Sequence, residues 1–161
     1  LVLSYASRKL YCGSWTDIHV VSTDSLKSIG IVRGMNRPSP DRSAYSPVTD
    51  RLYMGSGTLT DTISVIDCRV DTIRARFEAS VPVLAANSLN GVVYVGLGGS
   101  PQVLVVDTSD SVVDSVTLST VPFHGVPALT FRPDRNELYG VTGGDLAFIM
   151  DASVEGNRFS R

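Results

Sequence analysis

Apolar residues in this chain come in short bursts. Ile18-His19-Val20-Val21, Ile63-Ser64-Val65-Ile66, Val103-Leu104-Val105-Val106 and Leu146-Ala147-Phe148-Ile149 are dense in β-branched and aliphatic side chains. They are too short for helices and predict buried strands. A second class alternates. Ile73-Arg74-Ala75-Arg76-Phe77 and Val112 to Leu118 place apolar and polar side chains in turn, the period of two that a half-solvated strand requires. No window sustains the 3.6-residue apolar period of a helix, so none is expected. Turn formers separate the runs: Ser7 to Lys9, Ser46 to Arg51, Asn87 to Gly91 and Arg132 to Asn136. Proline fixes one turn dihedral, while Asn, Asp and Gly tolerate the left-handed region, so these are hairpin connections.

Laid over one another, the segments form one unit repeated four times. A small-residue strand (Leu1 to Ala6, Ser43 to Tyr45, Val83 to Ala86, Ala128 to Phe131) precedes the hairpin turn. A second strand follows, carrying Leu10-Tyr11, Leu52-Tyr53, Val93-Tyr94 or Leu138-Tyr139, and then a loop led by glycines such as Gly13, Gly55, Gly96 and Gly143. The buried third strand closes on Asp67, Asp107 or Asp151, with Ser22 in the first unit, where an Asx or Ser/Thr turn would lead onward. The fourth strand is Leu26 to Val32, Ile73 to Phe77, Val112 to Leu118 or Val154 to Phe159. The four tyrosines stand 42, 41 and 45 residues apart, the period of one four-stranded propeller blade and too long for leucine-rich or ankyrin repeats. The expected fold is all-β, a β-propeller of about four blades of four antiparallel strands near 1–33, 43–79, 83–119 and 128–161. Four blades make either a small closed ring or an arc of a six- to eight-bladed one. An open arc leaves an apolar sheet face bare at each end, so an arc implies further blades or the pairing of two arcs to complete the ring. Tyrosines repeated in every blade are structural; a site residue would stand in one blade only.

The succession of a Pro-Asp or Asn-Gly turn, Leu-Tyr, a loop, Val-x-Val-Ile-Asp and an alternating strand resembles the YVTN-type β-propeller repeat of bacterial and archaeal surface and secreted proteins. The best matches are Arg51-Leu52-Tyr53 with Ile63 to Asp67, and Val93-Tyr94-Val95 with Val103 to Asp107. The likeness covers nearly the whole chain. It departs at the signature tetrad, where Gly13-Ser14, Gly55-Ser56, Gly96-Leu97 and Val141-Thr142 replace Thr-Asn. No Trp-Asp pair closes a third strand, as a WD-type blade would require. The resemblance implies an extracellular, periplasmic or cell-surface protein. It also permits a propeller hydrolase or lyase of the lactonase kind, with histidine, arginine and acidic side chains around the channel mouth.

Composition narrows the partners. The 161 residues are 43% hydrophobic and 19% charged, as in one globular domain rather than a disordered chain. A net charge of −2 gives no basic surface for nucleic acid. No apolar run approaches the length of a membrane span. The start at Leu1-Val2-Leu3, without methionine, reads as the inside of a strand and leads us to expect a longer natural chain. Cys12 and Cys68 lie in different repeats, match no metal-ligand spacing, and are expected to be reduced.

Candidate chemistry falls in the crossings between blades: Arg33 to Arg42, Ala79 to Pro82 and Ser119 to Pro127. The first is the longest and most polar, with Arg33, Asn36, Arg37, Asp41 and Arg42, and its arginines suit a carboxylate or acidic partner. An ordinary solvated loop would read the same. His124, in the third crossing, suits proton transfer, but no histidine or carboxylate stands at ligand spacing from it, and His19 falls inside a strand of another blade. Asp17, Asp61 and Asp145 recur before the third strands, where they either hold a cation or cap turns. Trp15, the only tryptophan, is either an exposed anchor or folded over the blade edge. With no nucleophile elbow, phosphate loop, metal cluster or cofactor motif, the expected function is non-enzymatic binding or scaffolding of a protein or glycan partner, through His124, Arg37, Asp41, Arg33 and Trp15. The alternative enzyme would use His124, Arg37 and Asp41.

Overall fold

The computed structural model describes residues 1–35, 37–56, 62–118, 125–143 and 147–153, with the backbone of the short strand Phe159–Ser160. Among them are four antiparallel four-stranded meanders and no helix. Blade 1 holds β1 (Val2–Ser4), β2 (Lys9–Gly13), β3 (Ile18–Ser22) and β4 (Ser28–Val32). Blade 2 holds β5 (Pro38–Ser46), β6 (Arg51–Ser56), β7 (Thr62–Asp67) and β8 (Thr72–Glu78). Blade 3 holds β9 (Val83–Ala86), β10 (Val93–Gly96), β11 (Gln102–Val106) and β12 (Val112–Thr117). Blade 4 holds β13 (Ala128–Arg132), β14 (Glu137–Val141), β15 (Ala147–Asp151) and β16 (Phe159–Ser160). The first strands of successive blades lie beside one another, β1 by β5, β5 by β9 and β9 by β13, so the blades form a propeller arc.

The turns follow the residue chemistry. Arg8, Asp50 and Asn136 take positive φ between first and second strands, and Gly91 does so in blade 3. The third strands close as expected: Asp67, Asp107 and Asp151 each accept the backbone N–H two residues on, at 3.0, 2.9 and 2.9 Å, and the Ser22 hydroxyl accepts that of Asp24 at 3.2 Å. Two boundaries differ from expectation. Leu26 lies in the turn before β4 with φ of 54°, not in the strand. The first crossing is shorter than its polarity implied, because β5 begins at Pro38, pairs it with Ser56, and reaches Ser43 through an irregularity in register. Prolines cannot supply a ladder donor, so such a strand survives only as an irregular edge.

Three hydrophobic clusters fill the three junctions. Tyr11, Val20 and Ile18 pack on Leu52, Met54 and Ile66; Tyr53, Ile63 and Val65 on Val93, Val95 and Val106; Tyr94, Val103 and Val105 on Leu138, Phe148 and Met150. The repeated tyrosine is a junction residue in each case. Tyr11 Oη donates to Asp71 Oδ1 at 2.7 Å and to the Cys68 carbonyl at 3.2 Å; Tyr53 Oη donates to Asp110 Oδ1 at 2.8 Å; Tyr94 Oη donates to the Ala152 carbonyl at 3.4 Å. Each acceptor belongs to the following blade. Burial, reinforced by the Asp110 carboxylate, pushes the Tyr53 phenol above its ordinary pKa and keeps it a donor.

A cation two residues before the tyrosine reaches the same turn. Lys9 Nζ meets the Cys68 carbonyl at 2.8 Å and Asp71 at 2.9 Å; Arg51 Nη1 meets Asp110 Oδ1 at 2.8 Å and the Thr108 carbonyl. In blade 3 an apolar Val92 stands there, and Asn87 replaces the cation, donating to the Ala152 carbonyl at 3.3 Å. The Asp110 side chain is only 2% exposed and is paired with both Arg51 Nη1 and Arg74 Nε, each at 2.8 Å.

Glycine two residues after the tyrosine has a steric reason. A Cβ on Gly55 would stand 2.9 Å from Pro82 Cγ, and one on Gly96 would stand 2.7 Å from Val126 Cγ1, because the next crossing passes directly over the strand. Gly96→Ala should therefore destabilise the chain by about 1–3 kcal/mol in urea unfolding. Gly99→Ala, whose Cβ would find its nearest neighbour 3.6 Å away, should stay within about 0.5 kcal/mol.

Candidate functional site

One rim of the arc is built by pairing the loop between second and third strands with the crossing between blades. Arg37 N donates to the Trp15 carbonyl at 3.1 Å, Gly98 N to Ser80 at 2.9 Å, Val126 N to Leu97 at 2.8 Å and Gly143 N to Gly125 at 2.8 Å. Backbone bonds fix the position of side chains here, which is what a recognition loop on a rigid scaffold needs.

In blade 1 the loop is tied to itself. Ser14 N and Oγ both donate to the Asp17 carbonyl, at 2.8 and 2.9 Å, and Asp17 N returns a bond to Ser14 Oγ at 3.3 Å. The tight loop turns Trp15 outward, leaving it 73% exposed. The Arg37 guanidinium carbon lies 4.7 Å from the centre of the indole ring, a cation–π arrangement. Arg37 has φ of 46°, unusual for a residue with a side chain, and the backbone bond to Trp15 holds it there. Trp15 and Arg37, with Gly13, Ser14, Pro38 and Ser39, line a shallow groove of about 380 Å³.

A larger cavity of about 550 Å³ lies farther along the rim, between Asp41 and Arg42 on one side and Val81, Gly98, Gly125 and Gly143 on the other. Ser39 Oγ donates to Asp41 Oδ1 at 2.5 Å, and that bond, with help from Arg42, holds the Asp41 carboxyl below the usual carboxylate range. Asp41 is an exposed anion at the mouth of this cavity.

The structure thus brings Trp15 and Arg37 together and places Asp41 on a different cavity. Arg33 is exposed at the end of blade 1. His124 lies outside the described residues, as do Asn36, Asp61 and Asp145. Asp17 serves its own loop: its carbonyl closes the turn and its carboxylate accepts the Thr16 hydroxyl at 3.1 Å. His19 is an exposed β3 residue on the outer face of blade 1, opposite Cys12 and Ile31. Both cysteines are free thiols; burial pushes the Cys68 thiol up to about 12, so it is inert near neutral pH. Among the described residues, no group of three or more His, Cys, Asp or Glu is placed to hold a metal ion, and no helix is long and apolar enough to cross a membrane. Ser39 and Ser14, which orient Asp41 and Trp15, carry no signal in the sequence beyond being turn formers.

No family model and no curated protein matches the chain. Among solved structures it is similar to the dihydro-heme d1 dehydrogenase NirN in complex with DHE, with a TM-score of 0.80 and 15% identity over 99% of this chain and 36% of that one. It is also similar to a chain of the mitotic checkpoint complex, with a TM-score of 0.71 and 14% identity over 95% of this chain and 45% of that one. The chain thus spans less than half the length of either. At these identities the likeness defines the class, an arc of a β-propeller, and nothing narrower.

Trp15 offers a direct reading of the groove because it is the sole tryptophan. Acrylamide and iodide should both quench its fluorescence. Arg37→Ala should weaken quenching by iodide, which the guanidinium attracts, and leave quenching by neutral acrylamide undiminished.

Proposed function

We propose that this chain is a non-enzymatic binding module of the YVTN propeller type, on an extracellular, periplasmic or cell-surface protein. Its rim engages a protein partner through the Trp15–Arg37 groove, and the partner contributes an acidic side chain beside an apolar one. The observation that carries this reading is a large aromatic side chain held outward by a tied loop under a guanidinium. Tryptophan and arginine are the residue types most enriched among binding hot spots. Capped from one side by Arg37, the indole offers an apolar surface, and the guanidinium offers a paired-donor edge to a carboxylate. A propeller in the mitotic checkpoint complex is one of the similar folds, which accords with a protein partner. A lactonase-like enzyme would need Arg37, Asp41 and His124 to act on one substrate, whereas Arg37 and Asp41 line separate cavities.

Selection of a displayed random-peptide library on the immobilised chain tests this. Enriched peptides should carry Asp or Glu near an aromatic or aliphatic residue. Trp15→Ala and Arg37→Ala should each weaken the best peptide by about thirtyfold, the loss of one hot-spot contact of about 2 kcal/mol. Peptides that bind both variants as tightly as the parent would overturn the reading, and so would binding confined to a glycan array.

A further inference from the structure

In each blade the hairpin between first and second strands ends on a residue at positive φ: Arg8, Asp50, Gly91 and Asn136. At two of the three internal junctions that residue accepts from the blade before it. Between blades 1 and 2, Ser4 Oγ donates to Asp50 Oδ1 at 2.7 Å, and Ser7 Oγ donates to Asp50 Oδ2. Between blades 3 and 4, Asn87 Nδ2 donates to Asn136 Oδ1 at 3.2 Å. The register makes these donors equivalent, with Ser4 opposite Lys9, Ser46 opposite Arg51, and Asn87 bonded through its backbone N–H to Val92.

Between blades 2 and 3 the residue is Gly91, which has no side chain to accept. Ser46 and Thr49, the counterparts of Ser4 and Ser7, carry buried hydroxyls with no hydrogen-bond partner among the described residues. Arg51 Nε is a third such group. Ser46 is 0% exposed and Arg51 8%, so these groups cannot turn to solvent, and buried donors are rarely left unpaired. All three belong to one hairpin facing blade 3, where Ser4 and Ser7 in the preceding blade converge on a carboxylate.

The charges around Arg51 favour a negative occupant. Arg51 and Arg74 share the single carboxylate of Asp110, each at 2.8 Å, so two guanidinium groups face one anion and a positive charge is left over. The neighbouring carboxylates are engaged elsewhere: Asp67 with Arg69 at 2.8 Å, Asp107 with the N–H groups of Ser109 and Ser111, and Asp50 with the hydroxyls of blade 1. A water molecule would bring further protons to a place already rich in donors. An anion accepts from all three. The space is small, since a Cβ on Gly91 would stand 3.1 Å from both Val48 Cβ and Thr108 Cγ2. In blade 1 the counterpart of Val48 is Ala6, a smaller residue beside the Asp50 side chain.

We infer that the junction between blades 2 and 3 binds a monovalent anion of chloride size, held by Ser46 Oγ, Thr49 Oγ1 and Arg51 Nε. The ion takes the place that the Asp50 carboxylate fills between blades 1 and 2, and it completes the junction from which glycine has removed the acceptor.

Urea unfolding of the 161-residue chain in sodium chloride and in sodium gluconate, at one ionic strength, tests this. Above the dissociation constant, each tenfold rise in chloride should lower the unfolding equilibrium constant about tenfold. The magnetic resonance of free chloride should broaden in the presence of the folded chain. Thr49→Val keeps the shape and removes one donor, so it should raise the chloride concentration required by about tenfold. Gly91→Asp combined with Val48→Ala copies the arrangement of Asp50 and Ala6, and should make stability independent of chloride. Equal unfolding in the two salts would overturn the inference and leave a water molecule as the occupant. A chloride response that Thr49→Val and the double variant both leave unchanged would overturn it too. None of these readouts depends on the Trp15–Arg37 groove.

Discussion

The blades are joined by a phenol hydroxyl crossing from one sheet to the turn of the next, and much of the chain serves to make that possible. Tyr11, Tyr53 and Tyr94 are 0 to 1% exposed, so a hydroxyl without a partner would cost about 1–3 kcal/mol at each junction. The acceptor is always in the turn between the next blade's third and fourth strands. That turn must hold its shape, and the closing aspartate ensures it by accepting backbone N–H groups inside the turn. At the first two junctions the cation before the tyrosine compensates the carboxylate that accepts from the hydroxyl, and at all three the glycine after it lets the crossing pass. A short sequence phrase is thus a complete joint between blades.

Much of this was legible. Periods of 41 to 45 residues placed the four blades, the closing aspartates formed the turns they were expected to form, and the tyrosines were assigned to structure because every blade repeats them. The partner of each tyrosine was not legible, because Asp71 and Asp110 lie about sixty residues downstream and only the blade-to-blade stacking brings them near. Alignment with the other fourth strands suggests a strand from Leu26, whereas backbone geometry puts Leu26 in a left-handed turn where Asp71 and Asp110 stand in blades 2 and 3. The polarity of the Pro38–Arg42 segment suggests a loop crossing between blades, yet the segment joins β5 as an irregular edge.

The candidate site was legible in its parts rather than its grouping. Trp15 and Arg37 both stood out by residue type, yet their stacking depends on a backbone bond between the first loop and the first crossing. Arg37 and Asp41 stood close in sequence and looked like one site. The turn of the chain into β5 sends them to different cavities, one shallow and aromatic, the other deeper and lined by glycine backbone. Residues that interrupt the repeat, among them Trp15, Leu26, Glu137 and Val141, are where this chain departs from a uniform stack of blades.

Chemical denaturation of the four tyrosine-to-phenylalanine variants measures the joint most directly. Phenylalanine keeps the ring and removes only the hydroxyl. If the hydroxyl joins blades, Tyr11→Phe and Tyr53→Phe lose about 1–3 kcal/mol, and Tyr53→Phe shows coupling to Asp110→Asn in a double-mutant cycle. Tyr139→Phe, whose hydroxyl bonds within its own blade, changes stability by no more than about 0.5 kcal/mol. Equal losses at all four positions, or additivity between Tyr53→Phe and Asp110→Asn, would contradict it.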